Sequence, residues 1–240
     1  MIPKIIHYCW FGGAPLNEET RRFIDGWRRL CPDYEIVRWD EKSFDIHCNP
    51  YVEEAYQQHK WAFVSDYARL YALHNRGGIY MDTDVELLKN PDPFLGNHGF
   101  FGFEKEDAVS TAIIAAEKGL PCIADLLHGY DNRHFVQSDG TLDMHTNVVD
   151  ITRYFTARGL LLNNELQNID GMMFYPMDYF CPMDNRTYEL HTTENTCAIH
   201  HFAGTWVDDK AKLRNRKIKK LPGPALTAKI VAIRKKREKR

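Results

Sequence analysis

Two aspartates separated by one residue, Asp82-Thr83-Asp84, follow a short apolar run, Ile79-Tyr80-Met81. Carboxylates at i and i+2 face one side of an extended segment, and ligands gather beyond the carboxyl ends of strands in open α/β sheets. Oxygen donors so arranged suit magnesium or manganese bridging phosphate oxygens, where the cation neutralises charge as a phosphate departs. An isolated Asp-x-Asp is more often a polar turn, so its context decides between the two readings. One helix earlier, Asp66 and Arg69 stand three apart and share a helix face with Ala62 and Leu73. Alone they are an ordinary i,i+3 ion pair; beside a phosphate site, Asp66 also accepts from ligand hydroxyls and Arg69 donates to hydroxyl or phosphate oxygens. Gly77-Gly78 ends that helix and feeds the strand that delivers the aspartate pair.

The elements that must position these residues are legible from periodicity. Residues 5–11 are β-branched and aromatic, end at Gly12-Gly13, and predict a buried first strand. Phe23, Ile24, Trp27 and Leu30 mark a helix that Cys31-Pro32 stops, and residues 34–39 predict a second strand. Residues 60–75 carry Phe63, Val64, Tyr67, Leu70, Tyr71 and Leu73 at helical spacing. Beyond the Asp pair, residues 85–88 resume an extended pattern and residues 100–103 predict a strand. Short helices are expected at 111–118 and 122–127, and a helix with Val148, Val149, Thr152 and Phe155 is closed by Gly159. Strands follow at 172–175 and 196–202, while residues 137–143 are the most loop-like interior stretch. With no internal repeat, the pattern reads as one α/β domain on a mixed sheet.

Ser65-Asp66-Tyr67-Ala68-Arg69 and Gly77-Gly78-Ile79-Tyr80-Met81-Asp82-Thr83-Asp84 together resemble the sugar-binding Asp-x-Asp region of glycosyltransferase family 32. That family includes capsular-polysaccharide transferases and fungal outer-chain mannosyltransferases. Residues 2–13, Ile-Pro-Lys-Ile-Ile-His-Tyr-Cys-Trp-Phe-Gly-Gly, resemble its opening strand, and His200-His201-Phe202-Ala203-Gly204-Thr205-Trp206 its closing motif, with Thr205 in place of the commoner serine. The resemblance implies a nucleotide-sugar glycosyltransferase A-type fold, α/β with a mixed, mainly parallel central sheet. It implies that Trp10 stacks on the donor base, that Asp66 and Arg69 hold the transferred sugar, and that Asp82 contacts ribose or sugar and reaches the metal through water. It further makes Asp84 the direct metal ligand, selects His201 as a second ligand with His200 on the opposite face, and brings the Trp206 indole N–H to the diphosphate. The resemblance gives residues 139–149 to the acceptor side, with Asn147 the candidate there. The catalytic set it implies is Asp66, Arg69, Asp82, Asp84 and Trp206, with Mn2+ or Mg2+ as cofactor and retention of anomeric configuration. The implied donor is a UDP-sugar ahead of GDP-mannose, and the implied acceptor a saccharide or lipid-linked saccharide of capsular or surface polysaccharide synthesis.

Composition narrows the rest. Of 240 residues, 44% are hydrophobic and 27% charged, as in folded proteins and unlike disordered ones. The net charge of −2 conceals a division: residues 210–240 hold 14 of the 31 Lys and Arg against one of the 33 acidic residues, so that stretch is +13 and the remainder −15. We therefore expect a catalytic domain at 1–209 and a basic amphipathic extension at 210–240. Leu226, Ile230 and Ile233 give the extension an apolar stripe, which suits packing on the domain or contact with an anionic membrane surface. Nucleic acid is not expected, because the stretch lacks interleaved aromatics and the acidic body repels polyanions. Six scattered cysteines suit reduced thiols, and no signal peptide or membrane span is apparent. The expected location is cytoplasmic, peripheral on the inner face of the plasma membrane. Two other readings of the Asp pair stay open: a metal-dependent phosphohydrolase, disfavoured by Glu86 two residues beyond Asp84, and a non-catalytic nucleotide-sugar binder.

Overall fold

The computed structural model describes residues 1–105 and 107–204. The chain runs β1 (Ile5–Cys9), α1 (Glu18–Leu30), β2 (Glu35–Trp39), α2 (Pro50–Gln57), α3 (Trp61–Arg76), β3 (Gly78–Met81) and β4 (Val85–Leu87). It continues through β5 (Gly99–Lys105), β6 (Ala108–Ala116), α4 (Pro121–His128), α5 (Asn147–Thr156), β7 (Gln167–Ile169), β8 (Met172–Tyr175), α6 (Met177–Phe180) and β9 (Ala198–His200). Seven strands form one sheet in the order β2-β1-β3-β6-β5-β8-β7, and β4 with β9 forms a separate two-stranded ribbon. β1 pairs parallel with β2 and β3, and β5 parallel with β8; β6 and β7 run against their neighbours. The sheet is thus mixed and mainly parallel, as expected for the glycosyltransferase A-type fold.

Two cores flank the sheet. Phe63, Val64, Leu70 and Leu73 of α3 pack with Phe101, Phe103 and Phe155 on one face. Phe23, Ile24 and Trp27 of α1 pack with Ile79, Met81, Val85 and Phe100 on the other. Trp27 donates its indole N–H to the Val85 carbonyl at 3.0 Å, so α1 holds the ribbon that follows the Asp pair. α1 obeys ordinary end rules: Asn17 accepts from the Thr20 N–H, Glu18 and Glu19 open the helix, and Arg28 and Arg29 close it.

The expected helix at 111–118 is instead most of β6, nine residues that are all buried. Its run Ala-Val-Ser-Thr-Ala-Ile-Ile-Ala-Ala lies at the sheet centre between β3 and β5, covered on both faces, so no period-2 alternation betrays it.

β3 enters the sheet through Gly77 and Gly78, both at positive φ. A Cβ on Gly78 would stand 2.6 Å from the Ile5 carbonyl oxygen, and one on Gly77 2.6 Å from the Lys118 amide nitrogen. The glycines therefore permit close backbone approach as well as a helix stop. Buried His7 braces this entry, bonding the Gly77 carbonyl through Nε2 at 2.8 Å while Nδ1 accepts from the Trp39 indole at 3.1 Å.

Candidate functional site

Asp82 and Asp84 converge through a turn, and not along the straight strand the i, i+2 spacing suggested. Val85 donates its N–H to the Asp82 carbonyl at 3.1 Å, closing a four-residue turn just past β3, while the Asp82 N–H goes to Ala112 of β6. The ribbon then returns the chain: β9 pairs antiparallel with β4, Val85 opposite His200. One ligand atom from each of Asp82, Asp84 and His200 lies within 4.8 Å of the others. His200 Nε2 stands 3.4 Å from Asp84 Oδ1, and the Ala203 N–H donates to Asp84 Oδ2 at 2.8 Å. Phe202, at φ 49, turns the backbone into the left-handed region where Ala203 makes that contact.

The expected orientation of the two histidines is reversed. They do occupy opposite faces, but His201 Nε2 bonds Glu86 Oε2 at 2.7 Å and its ring stacks on Phe23 at 4.9 Å. Because Glu86 pairs with Ile199 in the ribbon, Ile199, His201 and Glu86 share the α1 side, which leaves His200 for the carboxylates. Spacing along one strand cannot reveal this; the register of β9 on β4 decides it.

On the other side of Asp82 lies a buried polar network. Asp66 and Arg69 project from α3 with side chains only 7% and 6% exposed, paired at 3.0 Å. Arg69 Nη2 also donates to Asp82 Oδ1 at 3.1 Å, and Tyr80, two residues before Asp82, donates its hydroxyl to the same oxygen at 2.7 Å. Arg69 lies over the Tyr80 ring at 4.8 Å. Asn147 completes the network: its amide N–H reaches Asp66 Oδ2 at 3.2 Å, its Nδ2 donates to the Asp66 carbonyl, and its Oδ1 accepts from Arg69 Nη1 at 3.1 Å. Expected to face an acceptor, Asn147 is 1% exposed and instead braces the Asp66–Arg69 pair.

The charges respond to this setting. Burial pushes the Asp66 carboxyl up to about 6 against the pull of Arg69, and burial likewise raises Asp82 with Arg69 opposing. Burial would raise Asp84 too, but His200 and the Ala203 N–H outweigh it and hold the carboxyl below the usual range. Glu104, at the carboxyl end of β5, is raised by burial, feels His200 and Asp82, and accepts from Asn185 at 3.3 Å. Sequence reasoning missed Glu104, whose partner is 81 residues away. It also missed Tyr80, which the two-residue period of β3 puts on the Asp82 side.

A divalent cation fits the chemistry of the donor set. Two carboxylates and an imidazole suit manganese, the carboxylates alone suit magnesium, and His200 Nε2 is the nitrogen turned to Asp84. Adjacent ligands of such an ion lie about 3 Å apart, close to the His200–Asp84 separation.

At the end of β1, partly buried Trp10 donates its indole N–H to the Ala14 carbonyl at 2.6 Å. The next turn rests on Trp61, where a Cβ on Gly12 would come within 2.6 Å of the indole. Its backbone N–H donates to Glu41 Oε1 at 2.5 Å. Trp206 and residues 210–240 lie outside the described residues. An open groove of about 690 Å³ lies beside the start of α5, lined by Gln137, Leu142, Asp143, Met144, His145, Thr146 and Val149.

Comparison with known proteins agrees with the expected family. Residues 17–101 match the family described as "Glycosyltransferase sugar-binding region containing DXD motif". An uncharacterized glycosyltransferase of Acanthamoeba polyphaga mimivirus is 26% identical over 220 residues, 83% of this chain and 85% of the relative. Inositol phosphoceramide mannosyltransferase 3 of Schizosaccharomyces pombe is 28% identical over 56% of this chain, which spans only 40% of that relative. A glycosyltransferase involved in glycosylation of the major capsid of PBCV-1 shares the fold, with a TM-score of 0.52 at 11% identity over 90% of this chain and 98% of that one. The resemblance to the Asp-x-Asp region of family 32 stands, and with it a glycosyltransferase assignment.

Proposed function

We propose that this chain, which carries the sugar-binding Asp-x-Asp region of family 32 glycosyltransferases, is a divalent-metal-dependent, retaining hexosyltransferase. The observation that carries the proposal is the meeting of Asp82, Asp84 and His200 beside the buried Asp66–Arg69 pair. Asp84 and His200 would hold the cation, with Asp82 reaching it through water. When bound, that Mn2+ or Mg2+ supplies charge neutralisation for the departing diphosphate. The favoured donor is a UDP-sugar, with GDP-mannose second. Trp10 forms a wall for the base, and Asp66 accepts from hydroxyls of the transferred sugar. Arg69, pinned by Asp66, Asp82 and Asn147, orients both carboxylates and offers its charge to the developing oxygen anion. The acceptor is a saccharide or lipid-linked saccharide of surface polysaccharide, seated toward the groove at residues 137–149.

No dedicated nucleophile is required. In a front-face displacement the bond from the anomeric carbon to the diphosphate oxygen breaks, and the acceptor hydroxyl forms its bond on the same face. The proton passes to the departing phosphate oxygen, and Trp206 donates to the diphosphate. Incubation of the full chain with MnCl2 and a panel of UDP- and GDP-sugars tests this reading. Manganese-dependent release of nucleoside diphosphate, with retained anomeric configuration in the transfer product, is the expected result. Hydrolysis of simple phosphate esters without sugar transfer would favour a phosphohydrolase, and binding without release a non-catalytic binder.

A further inference from the structure

Arg133 lies outside the set that holds the donor, yet every nitrogen of its guanidinium is engaged. Nε donates to Asp143 Oδ2 at 2.7 Å, Nη1 to Asp150 Oδ2 at 2.8 Å and Nη2 to the His145 carbonyl at 3.2 Å. The guanidinium also lies over two buried rings, Tyr51 at 4.9 Å and Tyr130 at 5.2 Å. Its three polar partners span residues 143–150, and Asn147 is in their midst. α5 begins at Asn147 without help from its own cap, because Thr146 makes no side-chain capping bond. The first-turn N–H of Asn147 goes to Asp66. Where the helix starts is therefore set from outside it: Arg133 ties Asp143 and His145, in the segment leading into the helix, to Asp150 in its first turn. A planar fork does this in three directions at once, which a lysine ammonium on a flexible stem does not.

We infer that Arg133 is a positioning residue for donor-sugar recognition. It holds the start of α5, hence Asn147, and Asn147 in turn sets the Asp66–Arg69 pair. This rests on the donor-site reading under Proposed function. The two predict different failures: a merely structural arginine would lower the melting temperature and the active fraction, so kcat would fall with KM unchanged. A positioning residue moves the sugar-holding groups and so raises the donor KM.

The test uses the full chain with MnCl2 and UDP-glucose, UDP-galactose, UDP-N-acetylglucosamine and GDP-mannose as donor probes, following nucleoside diphosphate release. Kinetics then use the donor the wild type turns over fastest. Arg133→Lys is expected to raise its KM about tenfold, as loss of sugar binding does, and to lower kcat as well, because the displaced Arg69 also serves the departing oxygen. Asp150→Asn, which removes one of the three anchors and leaves Arg133 in place, is expected to raise KM about threefold. An unchanged KM in a folded Arg133→Lys chain overturns the inference, as does a loss confined to kcat. If Arg133→Lys does not fold, the same criterion applied to Asp150→Asn decides. Absence of release from every donor by the wild type overturns the donor-site reading and this inference with it, and is seen before any variant is compared.

Discussion

Arg69 keeps its charge at 6% side-chain exposure because Asp66, Asp82, Tyr80 and Asn147 surround it. Removing one member of such a buried pair leaves the other unpaired, so Arg69→Ala should cost about 3–5 kcal/mol in denaturant unfolding. Arg69→Lys should fold better yet still fail in donor turnover, because one ammonium cannot reach both carboxylates. At the cation end, Asp84→Asn should lower manganese-dependent turnover by about a hundredfold or more while the chain still folds. Unchanged turnover at saturating manganese would sink the assignment. The two histidines allow a sharper comparison: His200→Ala should weaken manganese binding measured by calorimetry. His201→Ala should leave it intact and lose only the Glu86 bond and the Phe23 stack. The adjacent pair was visible in the sequence, but which member faces Asp84 depends on the β4–β9 register.

At the scale of elements, β1 and β3 form the rail on which the Asp pair rides, and His7 is their brace. Burial lowers the His7 imidazole from its ordinary value to about 4, since a protonated Nδ1 would face the Trp39 N–H with nothing to accept. Between pH 6.5 and about 4 the unfolded chain binds a proton here that the folded chain does not, so stability rises with pH across that window and is lost on acidification. The loss amounts to about 3 kcal/mol. Urea midpoints at pH 4.5 and 7 should therefore differ by less in His7→Gln than in wild type. Gly78→Ala, forced against the Ile5 carbonyl at positive φ, should destabilise the chain, and equal unfolding midpoints would contradict this account of β3. α1 was legible because it buries one face and exposes the other, and α3 because its apolar residues recur at helical spacing over sixteen residues, longer than a strand. β6 was not, because burial on both sides erases the periodicity that separates strand from helix.

Over the whole molecule, charge separates an acidic body from a stretch at 210–240 that is +13. Among the described residues no helix is long and apolar enough to cross a membrane. We propose that residues 210–240 contact an anionic leaflet, where each basic side chain contributes about 1 kcal/mol. The full chain should then co-sediment with phosphatidylserine-containing liposomes at physiological salt, and deletion of residues 221–240, which removes seven of the fourteen basic residues, should weaken this markedly; no binding, or equal binding by both, would refute it. The sequence by itself determined the opening β-α-β order, the helix bearing Asp66 and Arg69, and the glycine-led strand ending in Asp-x-Asp. These follow from local periodicity and from residues with restricted backbone choices. Only the tertiary structure decided what those residues meet. It replaced an extended Asp pair with a turn, chose His200 over His201, drew Asn147 into the Asp66–Arg69 network, and brought Arg133 and Glu104 into the neighbourhood of the site. Each of these depends on strand register or on contacts between residues tens of positions apart, and chain-local spacing carries no information about such contacts.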